Sequence, residues 1–432
     1  MLRRLIANGL ILFGGQIGAS LIMMIAVAAN ARALGLADFG ALVMVQSSAL
    51  LIAGLSAFAT QQAVIRMGIE ALEGGHQQRF AHILGLGLVA DLIGTALAGA
   101  IGLTALPWLF AVAELPHEAW PLAFTAALCL FLQGYRTTEA IFRIFDRFRT
   151  LALIHLLSAL VALAAALWLW AGSQGLASYT AYIAIVLSLP TVLQLGFALA
   201  LLVQRDARPT LAGIGREKAL VREFAAYCWT THFSGSVDTV RQNGDSPLIG
   251  ALLSVELAGI YNVAKQLAGI LRKGTSVYAS VMFPELASIA ARRQYDAAHR
   301  TLRQAMLASA AIGAAVVLGA WAAGGFVLEL VFGPGYGAGA VALMLLCLSA
   351  AVQLSSATLS MYVQAFIGPK RLAFAYLVTL AVFLVALPAG VELGGIEGAA
   401  GAQVLFYLAL SAACWLELRQ RSGWLKPRPT GA

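Results

Sequence analysis

Six charged residues lie inside the two membrane-spanning helices that the apolar residues between positions 227 and 286 predict. They are Asp238, Arg241, Asp245, Lys265, Arg272 and Lys273. A charge at the bilayer centre costs about 2.5–3.5 kcal/mol on insertion scales, so such residues normally face a bundle interior or a wet cavity. The spacing of Asp238, Arg241 and Asp245 predicts one shared helix face, and Lys265 and Arg272 lie seven residues apart on the next helix. The pattern indicates a protein that moves or holds something polar inside a membrane.

Among these six residues the cations outnumber the carboxylates. Asp238, Arg241 and Asp245 sum to −1, and Lys265, Arg272 and Lys273 sum to +3, which leaves +2 where unpaired charge is costly. Arginine and lysine both suit phosphate, so we expect a cationic cavity that binds a pyrophosphate. Its candidate residues are Arg136, Arg241, Lys265, Arg272, Lys273 and Arg32.

Four of these cations also have a plainer interpretation. Arg136 and Glu139 are three residues apart and can neutralise each other. Lys273 and Arg272 can reach the cytoplasmic face, and Arg32 can be an anchor at the membrane interface.

Carboxylates inside the spans suggest coupling to an ion gradient. A carboxylate in a low-dielectric bundle can bind and release H+ near neutral pH, and Na+ is the other candidate ion. The candidates are Asp238, Asp245, Glu139 and Asp91. The alternative is a static salt bridge to Arg241 or Lys265. His232 is expected to be a hydrogen-bonded core residue rather than a proton carrier.

Composition places the chain among polytopic membrane proteins. Hydrophobic residues make up 60% of the 432 residues and charged residues 11%, with a mean hydropathy of +0.84. This length accommodates about twelve spans of ~20–25 residues. The predicted helices cover residues 5–31, 39–65, 80–106, 119–142, 150–170, 176–204, 223–252, 259–284, 304–332, 336–367, 372–391 and 398–416.

Loop charges predict the orientation. Of the 28 Lys and Arg residues, all but six fall in the proposed cytoplasmic loops and termini, and the opposite loops contain none. This split predicts both termini in the cytoplasm, and it explains the net charge of +8 without a nucleic acid. The expected organisation is a six-helix half at 1–204, a basic cytoplasmic linker at 205–222 and a second six-helix half at 223–432.

Two weak internal matches support this division. Residues 34–42 align with 253–261, and residues 145–152 align with 366–373, at offsets of 219 and 221 residues. Six spans per half is an even number, so the two repeats point the same way across the membrane.

Three short motifs resemble a known family. They are Leu34-Gly35 with Phe39-Gly40, then residues 258–264, then residues 331–336. They are similar to bacterial polysaccharide-synthesis membrane proteins, the flippases for lipid-linked O-antigen or exopolysaccharide repeat units of the multidrug/oligosaccharidyl-lipid/polysaccharide superfamily. The resemblance implies an all-α fold of two parallel six-helix bundles around a central cavity, and alternating access. It also implies a bacterial inner-membrane location and an oligosaccharide on polyprenyl pyrophosphate as substrate, with membrane lipid around it.

The chain departs from the pattern of this family after Asp238. Arg241 and Asp245 depart from the apolar residues that usually follow the Asp238 position in this family.

A polysaccharide polymerase and chain-length proteins are expected partners in lipopolysaccharide or exopolysaccharide synthesis.

Two rival functions remain. A multidrug exporter of the same fold would need acidic groups for cationic drugs, whereas helix eight is net positive. A membrane glycosyltransferase or polymerase would need catalytic carboxylates and a large extramembrane loop. The sequence shows no Walker lysine motif, metal cluster or nucleophile constellation, so we expect neither an enzyme nor a cofactor or metal.

Overall fold

The computed structural model describes residues 2–113, 115, 117–291 and 295–421, which form helices joined by short turns with no strand among them. Seven helices in this part of the chain are long and apolar enough to cross a membrane. Two of them, Gly14–Ser56 with 43 residues and Arg371–Gln420 with 50, each suffice for two crossings, since one crossing needs about 20 residues. The chain is an all-α multi-span membrane protein, as the sequence predicted.

The helices fall into two compact units, one up to Pro247 and one from Leu248 onward. The helices of the first unit are α1 (Leu2–Ser56), α2 (Thr60–Glu73), α3 (Gln77–Val112), α4 (Trp120–Leu130), α5 (Arg136–Ile144), α6 (Phe148–Ala171), α7 (Thr180–Gln204) and α8 (Lys218–Asn243). The boundary lies within α9 (Asp245–Leu252). The second unit continues with α10 (Val255–Ala291), α11 (Tyr295–Phe332), α12 (Ala340–Phe366) and α13 (Pro369–Arg421).

Two of the long helices are interrupted by a kink at glycine. α1 is interrupted at Gly35, where φ is 73°, a left-handed value that residues with a Cβ rarely adopt. α13 is interrupted at Gly394 and Gly395. With these interruptions, the seven long apolar helices of the described part of the chain are long enough for nine crossings, and the predicted total of twelve stays a prediction.

The internal matches of the sequence begin near the ends or interruptions of helices. Residues 34–42 begin at the turn inside α1, and residues 253–261 begin at the turn between α9 and α10. Residues 145–152 begin between α5 and α6, and residues 366–373 begin at the last residue of α12. Each of the four segments therefore begins at or next to a helix end or interruption.

The predicted second half of the chain begins one helix earlier than the second compact unit. The predicted linker ends at Arg222, whereas α8 packs against α1, α2 and α3 and belongs to the first unit. The contact with α1 is close: a Cβ on Gly54 would lie 2.4 Å from Cγ2 of Thr239. The half-repeat stays a prediction about the sequence.

A large apolar cluster of the first unit joins α2, α3, α5, α6, α7 and α8 around buried residues such as Phe80, Phe142 and Leu202. Outside it, large apolar side chains are exposed, with Trp168 at 70% and Trp321 at 74%. Such surfaces are rare in monomers facing water and are what lipid covers in a membrane.

Two predicted continuous spans are broken in the structure. Residues 39–65 were expected to be one helix, but α1 ends at Ser56 and α2 begins at Thr60. Residues 119–142 were also expected to be one helix, but α4 ends at Leu130 and α5 begins at Arg136. Both interruptions lie in the first unit, and the side chains that meet there explain them.

Candidate functional site

Asp91 on α3 joins the two interrupted spans. Its Oδ1 accepts a hydrogen bond from Thr60 Oγ1 at 2.6 Å, and its Oδ2 accepts one from the backbone N–H of Thr137 at 2.8 Å. Thr60 is the first residue of α2 and Thr137 the second residue of α5. The Asp91 side chain is 1% exposed. One buried carboxylate thus lies at the N-terminal ends of two half-helices, where N–H groups lack partners within the helix and negative charge is favoured.

The interruptions are packed tightly against α3. A Cβ on Gly94 would lie 2.9 Å from the carbonyl oxygen of Ser56, so the absent side chain lets α3 approach the end of α1. Gly134, in the break between α4 and α5, has φ 98° and lies near Thr95 and Ala57. The two breaks therefore meet on one side of α3.

α8 contacts the break that follows α1. Nδ1 of His232 lies 3.0 Å from the carbonyl oxygen of Ala57, to which it donates, and Nε2 accepts from Ser236 Oγ at 3.3 Å. Ala57 follows the last residue of α1, where carbonyl groups need partners from outside the helix. The interpretation of His232 as a hydrogen-bonded core residue agrees with these contacts.

Asp238 and Arg241 form an ion pair. Nη2 of Arg241 donates to Oδ1 of Asp238 at 2.6 Å, and Gln242 Nε2 donates to the other carboxylate oxygen. Arg241 is 4% exposed, whereas the Asp238 side chain is 57% exposed. Arg241 is therefore the more buried member of the pair. Asp238 forms a static salt bridge, which was the alternative to ion coupling for this residue.

Asp245 lies in a different setting. The span bends at Gly244, between α8 and α9, within the interruption predicted for residues 243–247. Asp245 is 0% exposed and opens α9, where its Oδ1 accepts from the backbone N–H of Ser246 at 2.9 Å. It is a fully buried carboxylate at a bend in a span.

Arg136 and Glu139 do not neutralise each other. Oε2 of Glu139 accepts from Gln61 Nε2 at 2.6 Å and lies 3.6 Å from Nη2 of Arg143. Arg136 is exposed at the start of α5. The pairing considered for these two residues is therefore wrong, because Arg143 lies one turn further along the same helix and meets the carboxylate.

The cations of α10 lie in the second unit. Lys265 is 7% exposed, and its Nζ is 5.9 Å from the ring centroid of Tyr261, within reach of a cation–π contact. Arg272 is half-buried, and the Lys273 side chain lies outside the described residues. Arg32 is exposed on α1, three residues before the turn at Gly35. Arg136 and Arg241 belong to the first unit, so a single cavity formed with Lys265 and Arg272 stays a prediction.

The sequence held weak signals of the two breaks. Gln133, Gly134 and Arg136 form a polar run inside a predicted span, and Thr60 is a residue type common at helix starts. Neither signal points to Asp91, because the contact joins positions 31 and 46 residues apart. Among the described residues, no group of three or more His, Cys, Asp or Glu side chains could hold a metal ion.

The chain is similar in sequence to known proteins. Residues 5–290 match the family model described as polysaccharide biosynthesis protein. The chain is 24% identical over 288 residues to the inner membrane protein YghQ of Escherichia coli K12, a match covering 65% of this chain and 81% of YghQ.

Two solved structures share the fold. The lipid II flippase MurJ in an inward closed conformation has a TM-score of 0.71 at 11% identity, covering 96% of this chain and 88% of MurJ. An inward-facing multidrug-resistance transporter of the MATE family and MOP superfamily has a TM-score of 0.66 at 14% identity, covering 93% of this chain and 95% of that one. At these identities the likeness shows the fold.

Proposed function

Because the chain belongs to the polysaccharide biosynthesis protein family, we propose that it is a flippase that carries a polyprenyl-pyrophosphate-linked oligosaccharide across the bacterial inner membrane. The sugar would be a repeat unit of an O-antigen or exopolysaccharide. The protein would work by alternating access and without chemical change of its substrate. The fold shared with MurJ and the inner-membrane relative support this proposal.

The observation that carries the proposal is the burial of two cations in the spans of a chain of this family. Arg241 is 4% and Lys265 is 7% exposed. Burying such groups is costly, so their presence calls for a function. A pyrophosphate supplies negative charge and many acceptor oxygens, which suit a guanidinium fork and an ammonium.

The role of each cation is part of the proposal. Arg241 would offer its guanidinium from the first unit, where Asp238 orients it through the ion pair. Lys265 and the half-buried Arg272 would contact the pyrophosphate from α10. Arg136 and Arg32 are exposed and are proposed as cations that attract the anionic head group before it binds.

Coupling to H+ or Na+ is assigned to Asp245 in this proposal. Asp245 is fully buried at a bend between two helices, where unwound or bent backbone in transporters commonly binds ions.

Charge-neutralising variants test the proposal through binding. The substitutions Lys265→Gln and Arg272→Gln should each weaken binding of a polyprenyl-pyrophosphate oligosaccharide by about tenfold, the size of one lost charge-assisted contact. Arg208→Gln is the matched control, because Arg208 is 88% exposed in the linker region. Binding would be measured on purified protein by titration.

A multidrug exporter predicts the opposite selectivity. The wild-type chain should not bind a cationic dye more tightly than the anionic lipid-linked sugar, because the buried charge of α10 is positive. Tight dye binding with unchanged sugar binding in both glutamine variants would replace the flippase proposal with the exporter.

A further inference from the structure

The α7–α8 loop, residues 205–217, folds back over the start of α3. The backbone N–H of Thr210 donates to the carbonyl oxygen of Ala81 at 3.1 Å. The approach is close because the next turn of α3 carries Gly85, where a Cβ would lie 2.5 Å from the carbonyl oxygen of Thr210. Ile214 of the loop packs against the large apolar cluster of the first unit. The loop is therefore docked on the first unit.

A buried histidine connects this loop to α3 and to α8. His82 follows Ala81 on α3, and its side chain is 1% exposed. Its Nε2 lies 2.9 Å from the carbonyl oxygen of Ala212, and its Nδ1 lies 3.0 Å from Oε1 of Glu217. Glu217 is the N-cap residue of α8. One imidazole thus joins three segments of the first unit.

Both partners of His82 are hydrogen-bond acceptors. A backbone carbonyl oxygen accepts and does not donate, and the same holds for an ionised carboxylate. A neutral imidazole has a single N–H, so one of the two contacts would then bring two acceptors together. The Glu217 side chain is 34% exposed, so water can solvate its charge. The geometry is satisfied when His82 carries both ring protons and forms a charge-assisted hydrogen bond with Glu217.

Glu217 is the carboxylate that faces His82. Arg79, one turn before His82 on α3, is directed to Glu223 of α8 instead, with Nη2 3.8 Å from Oε2. Both of these side chains are exposed, so their ion pair contributes little stability. Further charged residues of α2, α5, the loop and α8 are exposed or paired with each other, and they include Arg66, Glu70, Arg216 and Lys218, and Glu139 with Arg143.

We infer that His82 and Glu217 form a pH-sensitive latch that fastens the α7–α8 loop and the start of α8 to α3. At low pH the imidazolium donates to both Glu217 and Ala212, and the latch is closed. As the pH rises, the imidazolium loses one proton, and one contact becomes unfavourable because two acceptors then meet. The start of α8 is then released from α3. Because α8 carries Asp238 and Arg241, the latch acts on the helix that bears these charges, whichever substrate the protein carries.

Glu217→Gln separates the latch from other effects of pH. The amide of glutamine has nearly the shape of the carboxyl group but donates as well as accepts. Its NH2 can therefore donate to Nδ1 of a neutral His82 while Nε2–H still donates to Ala212. This variant should hold the loop equally well at low and high pH. His76→Gln is the matched control, because His76 is an exposed histidine immediately before α3.

Hydrogen exchange of the loop amides measures the latch in the purified full-length chain. Exchange would be followed at about pH 5.5 and about pH 8.5, on either side of the usual titration range of histidine. Comparing variants at the same pH cancels the effect of pH on the exchange chemistry. Protection in the wild type relative to Glu217→Gln should fall by about tenfold at the higher pH, the size of one lost charge-assisted hydrogen bond. His76→Gln should behave as the wild type.

Histidine-selective nitrogen NMR measures the protonation of His82 directly. Its signals are assigned by their loss in His82→Gln, or in His82→Asn if the first variant does not fold. At the lower pH both ring nitrogens should carry a proton. An imidazole with a single proton under that condition would overturn the latch. The same pH dependence of loop protection in the wild type and in Glu217→Gln would overturn it as well.

Discussion

Asp91 shows how a charged residue inside a span can serve the fold. Its two oxygens accept hydrogen bonds from Thr60 and from the N–H of Thr137, at the starts of two half-helices. Hydrogen bonds to charged groups contribute about 1.5–3 kcal/mol each, and the N-terminal ends of helices favour a carboxylate. From sequence alone, Asp91 was grouped with the candidates for ion coupling. The contacts support a structural role.

We predict that Asp91→Asn destabilises the protein by about 2–3 kcal/mol, because an amide NH2 replaces one of the two acceptors. Thermal unfolding of the purified protein measures this loss. Asp146→Asn is the control, since Asp146 is exposed in a turn with φ 57°, a conformation that Asn tolerates. A fully stable Asp91→Asn variant that loses only gradient-driven transport would return Asp91 to the coupling candidates.

The second prediction at this scale concerns Asp245. Asp245→Asn should abolish gradient-driven transport while the protein still folds and binds its substrate, because the amide cannot exchange a proton or neutralise Na+. Asp206→Asn, at a carboxylate that is 91% exposed, should transport normally. Transport would be compared with and without an imposed ion gradient. Full gradient-driven transport by Asp245→Asn would remove this residue from the mechanism.

At the scale of elements, turns set by local chemistry were predictable and interruptions set by distant contacts were not. Leu34-Gly35 marks a turn because glycine accepts the positive φ found there. The breaks at residues 57–59 and 131–135 contain no proline, and the contacts that hold them come from Asp91 and His232. Hydropathy along the sequence does not depend on such long-range contacts, so both spans were predicted as continuous.

We predict that the break between α4 and α5 depends on Gly134. Gly134→Ala should destabilise the protein by about 1–2 kcal/mol, because φ is 98° there while the nearest neighbours of a Cβ, at 3.5 Å and 3.6 Å, leave room for it. Gly196→Ala should be neutral or stabilising by up to about 1 kcal/mol, since Gly196 is exposed inside α7 with nothing near its Cβ. Thermal unfolding of the two variants measures the difference. Equal stability of the two variants would show that the segment between α4 and α5 adjusts its backbone to an alanine at position 134 without loss of stability.

At the scale of the whole molecule, composition and charge predicted the all-α multi-span class, which the structure and the family match confirm. The half-repeat stays a prediction, and its matching segments begin near helix ends or interruptions. The packing of α8 with the first unit was not predictable, since it depends on side chains such as Thr239 meeting Gly54. Which cations share one cavity also depends on three-dimensional packing and remains a proposal.

Topology gives a separate prediction for the whole chain. Reporter domains fused after Gln174 and after Ala212 should report opposite sides of the membrane, with the second in the cytoplasm, because the basic loops stay inside. Fusions at the C-terminal end should agree with the second site. Reports of the same side from the two internal fusions would refute both the twelve-span topology and the parallel half-repeat.

Transport of a lipid-linked oligosaccharide in vesicles tests the central claim most directly. The purified chain would be reconstituted in liposomes with a fluorescent polyprenyl-pyrophosphate oligosaccharide, and the accessible fraction would be followed with a membrane-impermeant quencher. We expect rapid equilibration by the wild-type chain and a rate lower by about tenfold or more for Lys265→Gln, with Arg208→Gln unchanged. Wild-type vesicles that translocate no faster than protein-free ones, or a Lys265→Gln variant at the full wild-type rate, would contradict the central claim.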